Sequence, residues 1–439
     1  MSSTSSWHTL PCEMQRAIVD ILQDEDVDAL SKVDQRTYKA CVPAKFKKVK
    51  LNDYEAVESF FENVPRDYCR YIEELDISTQ HRFNTTPVLP RIRAETVISL
   101  LTASSSLISL VLRVAGSLDK SVITPFPHLY NLKRLHIVNQ DDARTPLSER
   151  LVVSIAASVK NLEELSLERI TRSQMHAPEL EGVYPCPPLV TNDSDIPDHP
   201  LLGSQLALPS LLRIPTLRNL TIRDTHLGHE GWNSSPVACH LQVLDIGSCY
   251  HEDSGFNTRC TERIMAAVGP TIDEFSLTAA VSDSSVFSEP SATPLPRLRK
   301  LHISPFFPVD SVVETMTNLA GSPVEKISVQ CFEEDVVDVC SALEEFLSIR
   351  VQRGPNFYHK LKQIDVSVTS GEDDEDDAED EENKQERTAA AEKLQAFCRD
   401  LQLQSIVDKL AKNKKNSAVA PTSFVDAKRY PVKGRSNTL

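Results

Sequence analysis

A six-residue pattern, apolar-x-x-apolar-x-apolar, recurs ten times along this chain of 439 residues. The copies are Ile72-Leu75-Ile77, Leu107-Leu110-Leu112, Leu132-Leu135-Ile137, Leu162-Leu165-Leu167 and Leu217-Leu220-Ile222. They continue as Leu241-Leu244-Ile246, Ile272-Phe275-Leu277, Leu298-Leu301-Ile303, Val324-Ile327-Val329 and Leu361-Ile364-Val366. From Leu75 to Ile364 the intervals average about 32 residues. Side chains alternate along a strand, so the last two apolar positions of each copy share one face and need a common core. Segments of helical period precede most copies: Ala94–Ala103, Glu149–Val159, Glu262–Val268, Ser311–Ala320 and Asp335–Val351. Leu151, Ile155 and Val159 show the spacing of a single helix face. One strand with one helix cannot bury its apolar side alone, whereas a stack of such units can. The expectation is an α/β chain of about ten strand/helix repeats.

The copy Leu241-x-x-Leu244-x-Ile246-x-x-Cys249 matches the full pattern of a leucine-rich repeat, and the chain resembles that family over about residues 70–370. Other copies depart from it, with Thr225 or Ala115 at the last position. Their spacing also exceeds the family's usual range of roughly 20–29 residues. The resemblance therefore implies an irregular solenoid with long loops over 52–371. Its widest gap, Leu165 to Leu220, holds eight prolines between Pro178 and Pro215. Residues 178–215 read as a Pro-rich loop insertion, either a partner contact or, as the favoured reading, disordered.

Residues 7–51 follow another rule. Leu10, Met14, Ile18, Ile21 and Leu22 share one helical face, and Pro11 suits a first turn. Asp24-Glu25-Asp26 introduce a second short helix carrying Val27, Leu30 and Val33. Arg36-Thr37-Tyr38, a break at Pro43 and a strand-like Val49-Lys50-Leu51 follow. A piece this short and this apolar cannot easily build a core of its own, so it should dock on the solenoid, on a partner, or on both. The stretch resembles the F-box: LPCEMQRAIVDIL matches that family's opening, and DEDVDALSKVDQRTYKACVPAKFKKVKL its second half, with Tyr38 in place of the more usual Trp. The resemblance implies binding to the Skp-type adaptor of cullin–RING ubiquitin ligases. It implies Leu10, Pro11, Glu13, Met14, Ile18, Leu22, Val27, Leu30 and Val33 as adaptor contacts or their supports. Some of these, Ile21 and Val33 above all, could instead serve to hold the short helices together.

Beyond the repeats, Glu372–Glu382 carries ten carboxylates in eleven residues, which makes 372–382 a self-repelling, disordered linker. Residues 383–412 read as an amphipathic helix with Ala390, Leu394, Phe397, Leu401 and Leu410 in its stripe. It is expected to cap the open end of the solenoid, or else to bind a partner. Residues 413–439 form a basic tail expected to be disordered.

Charge and motifs exclude several functions. The net charge of −16 argues against a general nucleic-acid binder, and no phosphate-cradling Gly loop is present. The stretch Thr96–Leu112 is interrupted by six Ser/Thr residues and falls short of a membrane span. MSSTSSWHTLPCEM has neither the basic nor the apolar region of a secretory signal. Ten scattered cysteines without a CxxC then read as reduced thiols in an intracellular protein. His226-x-x-His229-Glu230 and His251-Glu252-Asp253 lack the spacing of a metal site and read as surface loops. No catalytic constellation, cofactor motif or metal set is expected.

The reading that emerges is a non-catalytic substrate receptor of a Skp–cullin–F-box ubiquitin ligase. Its partners would be the adaptor, through it a cullin, and a target protein, with no nucleic acid or membrane. The alternative is an F-box/leucine-rich-repeat scaffold without ligase function. Residues beside the inward apolar positions should face a concave surface suited to the target. These are Glu74, Asp76, Arg113, Arg134, His136, Glu164, Glu168, Arg223, Asp245, Glu274, Lys300, His302, Lys326 and Asp365.

Overall fold

The computed structural model describes residues 6–81, 90–115, 118–140, 146–182, 188–228, 230–232, 235–247, 254–277, 295–305, 307, 309–332, 334–354 and 356–369. Its centre is one parallel sheet of eleven strands: β1 (Lys48–Leu51), β2 (Glu74–Ser78), β3 (Ser109–Val114), β4 (Arg134–Asn139), β5 (Glu164–Glu168), β8 (Asn219–Arg223), β9 (Val243–Ile246), β10 (Glu274–Leu277), β11 (Lys300–Ile303), β12 (Lys326–Phe332) and β13 (Gln363–Thr369). A separate two-stranded piece, β6 (Arg172–Ser173) with β7 (Leu189–Val190), lies between β5 and β8 in the chain. Strand order in the main sheet follows chain order, which is the construction of a repeat solenoid.

Register makes the repeat visible. Leu75, Leu110, Leu135, Leu165, Leu220, Leu244, Phe275, Leu301, Ile327 and Ile364 form one continuous row across the sheet, every one of them buried. A second row, two residues further along each strand, runs from Ile77 through Leu112 and Ile137 to Ile303 and Val329. Both rows belong to one core with the covering segments. Those segments are α5 (Tyr54–Asn63), α6 (Pro90–Ala103), α7 (Glu149–Ser158), α8 (Ser254–Val268), α9 (Val312–Asn318) and α10 (Val336–Arg353). Where a helix is missing, 3-10 turns at Lys120–Ile123 and Leu208–Arg213 take its place, and α7 packs against both. From β2 to β8, helical cover therefore alternates with shorter turns.

Strand β1 was expected inside the N-terminal module, with its boundary at residue 51. It instead pairs in parallel with β2, Lys48 opposite Glu74 and Leu51 opposite Ile77, and so opens the sheet. The cause is an eleventh copy of the pattern, Phe46-x-x-Val49-x-Leu51. Phe46 packs against Phe60 (6.3 Å between ring centroids) and Tyr68 (5.2 Å).

The region 178–215 corrects a second expectation, because its described residues are folded. Leu180, Leu202, Leu206, Leu208, Leu211, Leu212 and Ile214 are buried. A buried polar network holds the segment in place. Glu149 Oε2 accepts from Arg172 Nε (2.9 Å) and the Leu208 N–H (3.0 Å), while Oε1 accepts from the Ser173 N–H (2.9 Å). Asp193 accepts from the Ser148 and Ser173 hydroxyls, and Arg150 donates to the carbonyls of Asp193, Ile196 and Ser204. Prolines limit helix and strand but not burial, and here side chains supply the partners that regular structure would.

The N-terminal module comprises α1 (Ser6–Thr9), α2 (Cys12–Val19), α3 (Asp24–Ser31) and α4 (Gln35–Lys45). Asp34 caps α4 by accepting from the Arg36 and Thr37 N–H groups. The helix continues through Pro43 instead of breaking there. The fixed proline φ is compatible with a helix, and Cys41 and Val42 just before it are buried. The acidic linker expected at 372–382, the helix at 383–412 and the tail at 413–439 lie outside the described residues.

Candidate functional site

Two surfaces carry the candidate residues, the N-terminal module and the sheet face opposite the helices. The module has a small core of Val19, Val27 and Cys41, against which Trp7, Leu22, Leu30 and Ala44 pack. Trp7 Nε1 donates to Thr37 Oγ1 (3.1 Å), and buried Gln15 donates to the Trp7 carbonyl (2.8 Å), tying the first turn to α2 and α4. Val27, expected as an adaptor contact or its support, points into this core. Leu10, Ile18, Leu22 and Leu30 are half-buried, while Pro11, Glu13 and Met14 are exposed.

Ile21 and Val33 reverse their expected role. They are 81% and 67% exposed, so they do not hold the helices together. Pro11, Met14, Ile18 and Ile21 recur at intervals of three and four, forming an apolar stripe along α2 and the turn after it. In α2's first turn Glu13 sits beside this stripe. Its carboxyl is held below the usual range by its own backbone N–H, then by the Cys12 thiol. The module thus presents an apolar surface with an ionised carboxylate at one end.

The open face of the sheet carries the other set. Register places Glu74, Ser109, Arg134, Glu164, Asn219, Val243, Glu274, Lys300, Lys326 and Gln363 in one row. Asp76, Val111, His136, Ser166, Thr221, Asp245, Ser276, His302, Ser328 and Asp365 form the next. Arg113, Glu168 and Arg223 follow two residues further along their strands. All fourteen expected residues therefore fall on this face.

Their charges are sorted by strand, a pattern that only the register displays. Lys48 and Lys50 share β1, Glu74 and Asp76 share β2, and Glu164 and Glu168 share β5; no described strand mixes signs on this face. Opposite charges then meet across strands. Arg113 reaches Asp76 through two hydrogen bonds (2.9 and 3.0 Å), Lys48 and Arg134 approach Glu74 (3.3 and 3.8 Å), and Arg223 pairs with Asp245. Lys300 (2.9 Å) and His302 (2.7 Å) both meet Glu274, and Lys326 meets Asp365 (2.7 Å). Seven cations (48, 50, 113, 134, 223, 300, 326) balance seven anions (74, 76, 164, 168, 245, 274, 365).

Half-buried His136 lies among Glu168, Arg113, Asp76 and Arg223. Burial lowers its pKa, against the opposing pull of Glu168, so the imidazole is neutral at physiological pH. The small residues Ser166, Thr221, Ser276 and Ser328 leave the middle row low between longer charged side chains.

Elsewhere, His226 is buried and not on the surface as expected, and its carbonyl accepts from Arg172; His229, Cys249 and His251–Asp253 lie outside the described residues. Among the described residues, no group of three or more His, Cys, Asp or Glu is placed to hold a metal ion. Cys41, Cys69, Cys239, Cys260 and Cys331 are buried free thiols, and burial pushes Cys239 and Cys331 up to about 11. Among the same residues no helix is long and apolar enough to cross a membrane.

By its strand order and register the chain is an α/β repeat solenoid with a helical module before its first repeat. No family model matches it, and no curated protein matches it either. Among solved structures, a chain of the yeast Rad7–Elc1 complex is 14% identical, the match covering 83% of this chain and 91% of that one at a TM-score of 0.28. A chain of the TLR13–ssRNA13 complex is likewise 14% identical, with 74% and 45% covered and a TM-score of 0.28.

Proposed function

We propose that this protein is the non-catalytic recognition subunit of a cullin–RING ubiquitin ligase. Its N-terminal module, residues 7–45 with β1 behind it, docks on a Skp-type adaptor. Its open sheet face holds a target protein. The observation that carries this reading is the stripe of exposed Pro11, Met14 and Ile21 with half-buried Ile18, beside a module whose own core is small. Large apolar side chains left exposed in a cluster mark a contact surface. Pro11, Met14 and Ile18 are among the adaptor contacts that the F-box resemblance, LPCEM onward, implies, and Ile21 extends their line by one turn.

The open face supports the second half. A face with seven balanced charges of each sign attracts neither polyanions nor polycations strongly, and it favours a partner with both signs in complementary order. Holding such a target near a charged conjugating enzyme accelerates transfer by proximity, with the chemistry left to other subunits.

The test is direct binding. Purified full-length protein and a purified Skp-type adaptor should form a 1:1 complex in calorimetry and gel filtration. Leu10→Ala with Pro11→Ala should weaken it by more than tenfold, since buried anchors of this kind are worth about 2 kcal/mol or more. An unchanged melting temperature for that variant separates lost contact from lost fold. Wild-type affinity in the double variant would end the adaptor assignment.

A further inference from the structure

The last strand is less buried than the strand it pairs with. Register sets Ile364, Val366 and Val368 of β13 opposite Ile327, Val329 and Cys331 of β12, on the core side of the sheet. In β12 all three are buried, whereas in β13 burial fades along the strand. Ile364 is 2% exposed, Val366 is half-buried, and Val368 is 39% exposed. α10 and the loop after it explain the difference. Phe346, Phe357 and Tyr358 pack together over the start of the strand, with the Tyr358 hydroxyl donating to the Met316 carbonyl (2.6 Å). They share one core with Ile364, while Val368 in the far half of β13 stays exposed, without the element that the next repeat would supply.

The first end of the sheet is closed differently. Leu51 of β1 is buried, with α5 beside it and Phe46, packed on Phe60, at its entry. Both ends of a solenoid need cover, because an edge strand with apolar side chains offers itself to other chains.

We propose that residues 384–410 of this same chain cover the exposed core side of β13, with residues 370–383 as the link. Three observations converge on that occupant. The exposed row ends at Val368, one residue before the described chain leaves the sheet at Thr369. The fourteen residues 370–383 span at most about 50 Å when extended, which is ample for the chain to fold back over the strand it has just left. Their ten carboxylates must stay in water, so the first apolar face available to return is the one carrying Ala390, Leu394, Phe397 and Leu401. Spacings of four, three and four give that stretch one apolar face, the form of every covering helix in the repeats.

The test uses the full chain, a truncation after residue 383 that keeps the acidic run, and a full-length Leu394→Asp/Phe397→Asp variant. Hydrogen exchange is read on residues 361–369, with gel filtration coupled to light scattering for mass. Full cover predicts at least a tenfold faster exchange of the β13 amides in both altered chains, with exchange in β3–β5 unchanged. Equal exchange in all three would overturn the proposal. So would a concentration-dependent dimer of the full chain whose dissociation exposes β13, since a second copy would then be the cover. Adaptor binding is read in parallel and should not change, so failure here and failure of the adaptor reading are distinguishable.

Discussion

Arg172 and Glu149 are both fully buried and joined by a 2.9 Å ion pair, and the pair anchors the segment between β5 and β8. Neither residue announces itself in the sequence. Arg172 sits in a run of polar residues, and Glu149 opens a helix where an acid is ordinary. Their partner is the chain's own distant backbone at Ser173, Leu208 and Gly228, which no local pattern encodes. Arg172→Leu should destabilise the protein by about 3–5 kcal/mol, because it strands a buried carboxylate. Arg172→Leu with Glu149→Gln should recover most of that loss. Urea unfolding of the two variants checks both values. Gly247 tells a similar story: a Cβ there would stand 2.8 Å from the Arg223 Cα, since Gly247 closes the ladder to Ile222. Gly247→Ala should cost about 1–3 kcal/mol by the same assay, an overpacking effect.

At the scale of elements, the strands were legible and their cover was not. Ten copies of one hexamer placed ten strands correctly, because two buried rows impose the same pattern on every repeat. The eleventh, Phe46-x-x-Val49-x-Leu51, was absorbed into the reading of the helical module next to it. The 3-10 turns standing in for helices escaped because four to six residues are too few to show a period. The open face was placed correctly by alternation, yet its sorting of charge by strand emerges only once register is known. That sorting shapes a prediction. Arg134→Glu, Arg223→Glu and Lys300→Glu together set like charges beside Glu74, Asp245 and Glu274. Exposed pairs are worth at most about 1 kcal/mol each, so the fold should survive with a modest drop in melting temperature. Adaptor affinity should stay constant, and the set of captured targets, read by mass spectrometry, should shrink. α3 and α4 supply a pH signature. Hydrogen bonds from Lys32, then Lys45, hold the Asp28 carboxyl down at about 2, against an ordinary value of 3.8. A depressed folded pKa stabilises above the unfolded value and is lost as pH falls through the folded one. The module should therefore loosen between about pH 4 and pH 2 in circular dichroism, and Asp28→Asn should flatten that part of the curve.

The whole molecule divides its labour between an end and a face. The first end carries a small helical module whose apolar stripe is left in water, and the long sheet behind it offers a balanced, mixed-charge surface. The proline-dense segment, expected to hang loose, instead thickens the solenoid where its widest interval would have left a gap. Composition could not show this, because prolines forbid regular hydrogen bonding and leave apolar burial open. On the proposed function, the stripe at Pro11, Met14, Ile18 and Ile21 is the contact that joins this solenoid to an adaptor. Calorimetric titration of a purified Skp-type adaptor into Met14→Asp/Ile21→Asp full-length protein tests it most directly. Both side chains are exposed, so the variant should fold and melt as wild type while losing at least a hundredfold in affinity. Binding at wild-type strength by a variant of unchanged stability would contradict the claim.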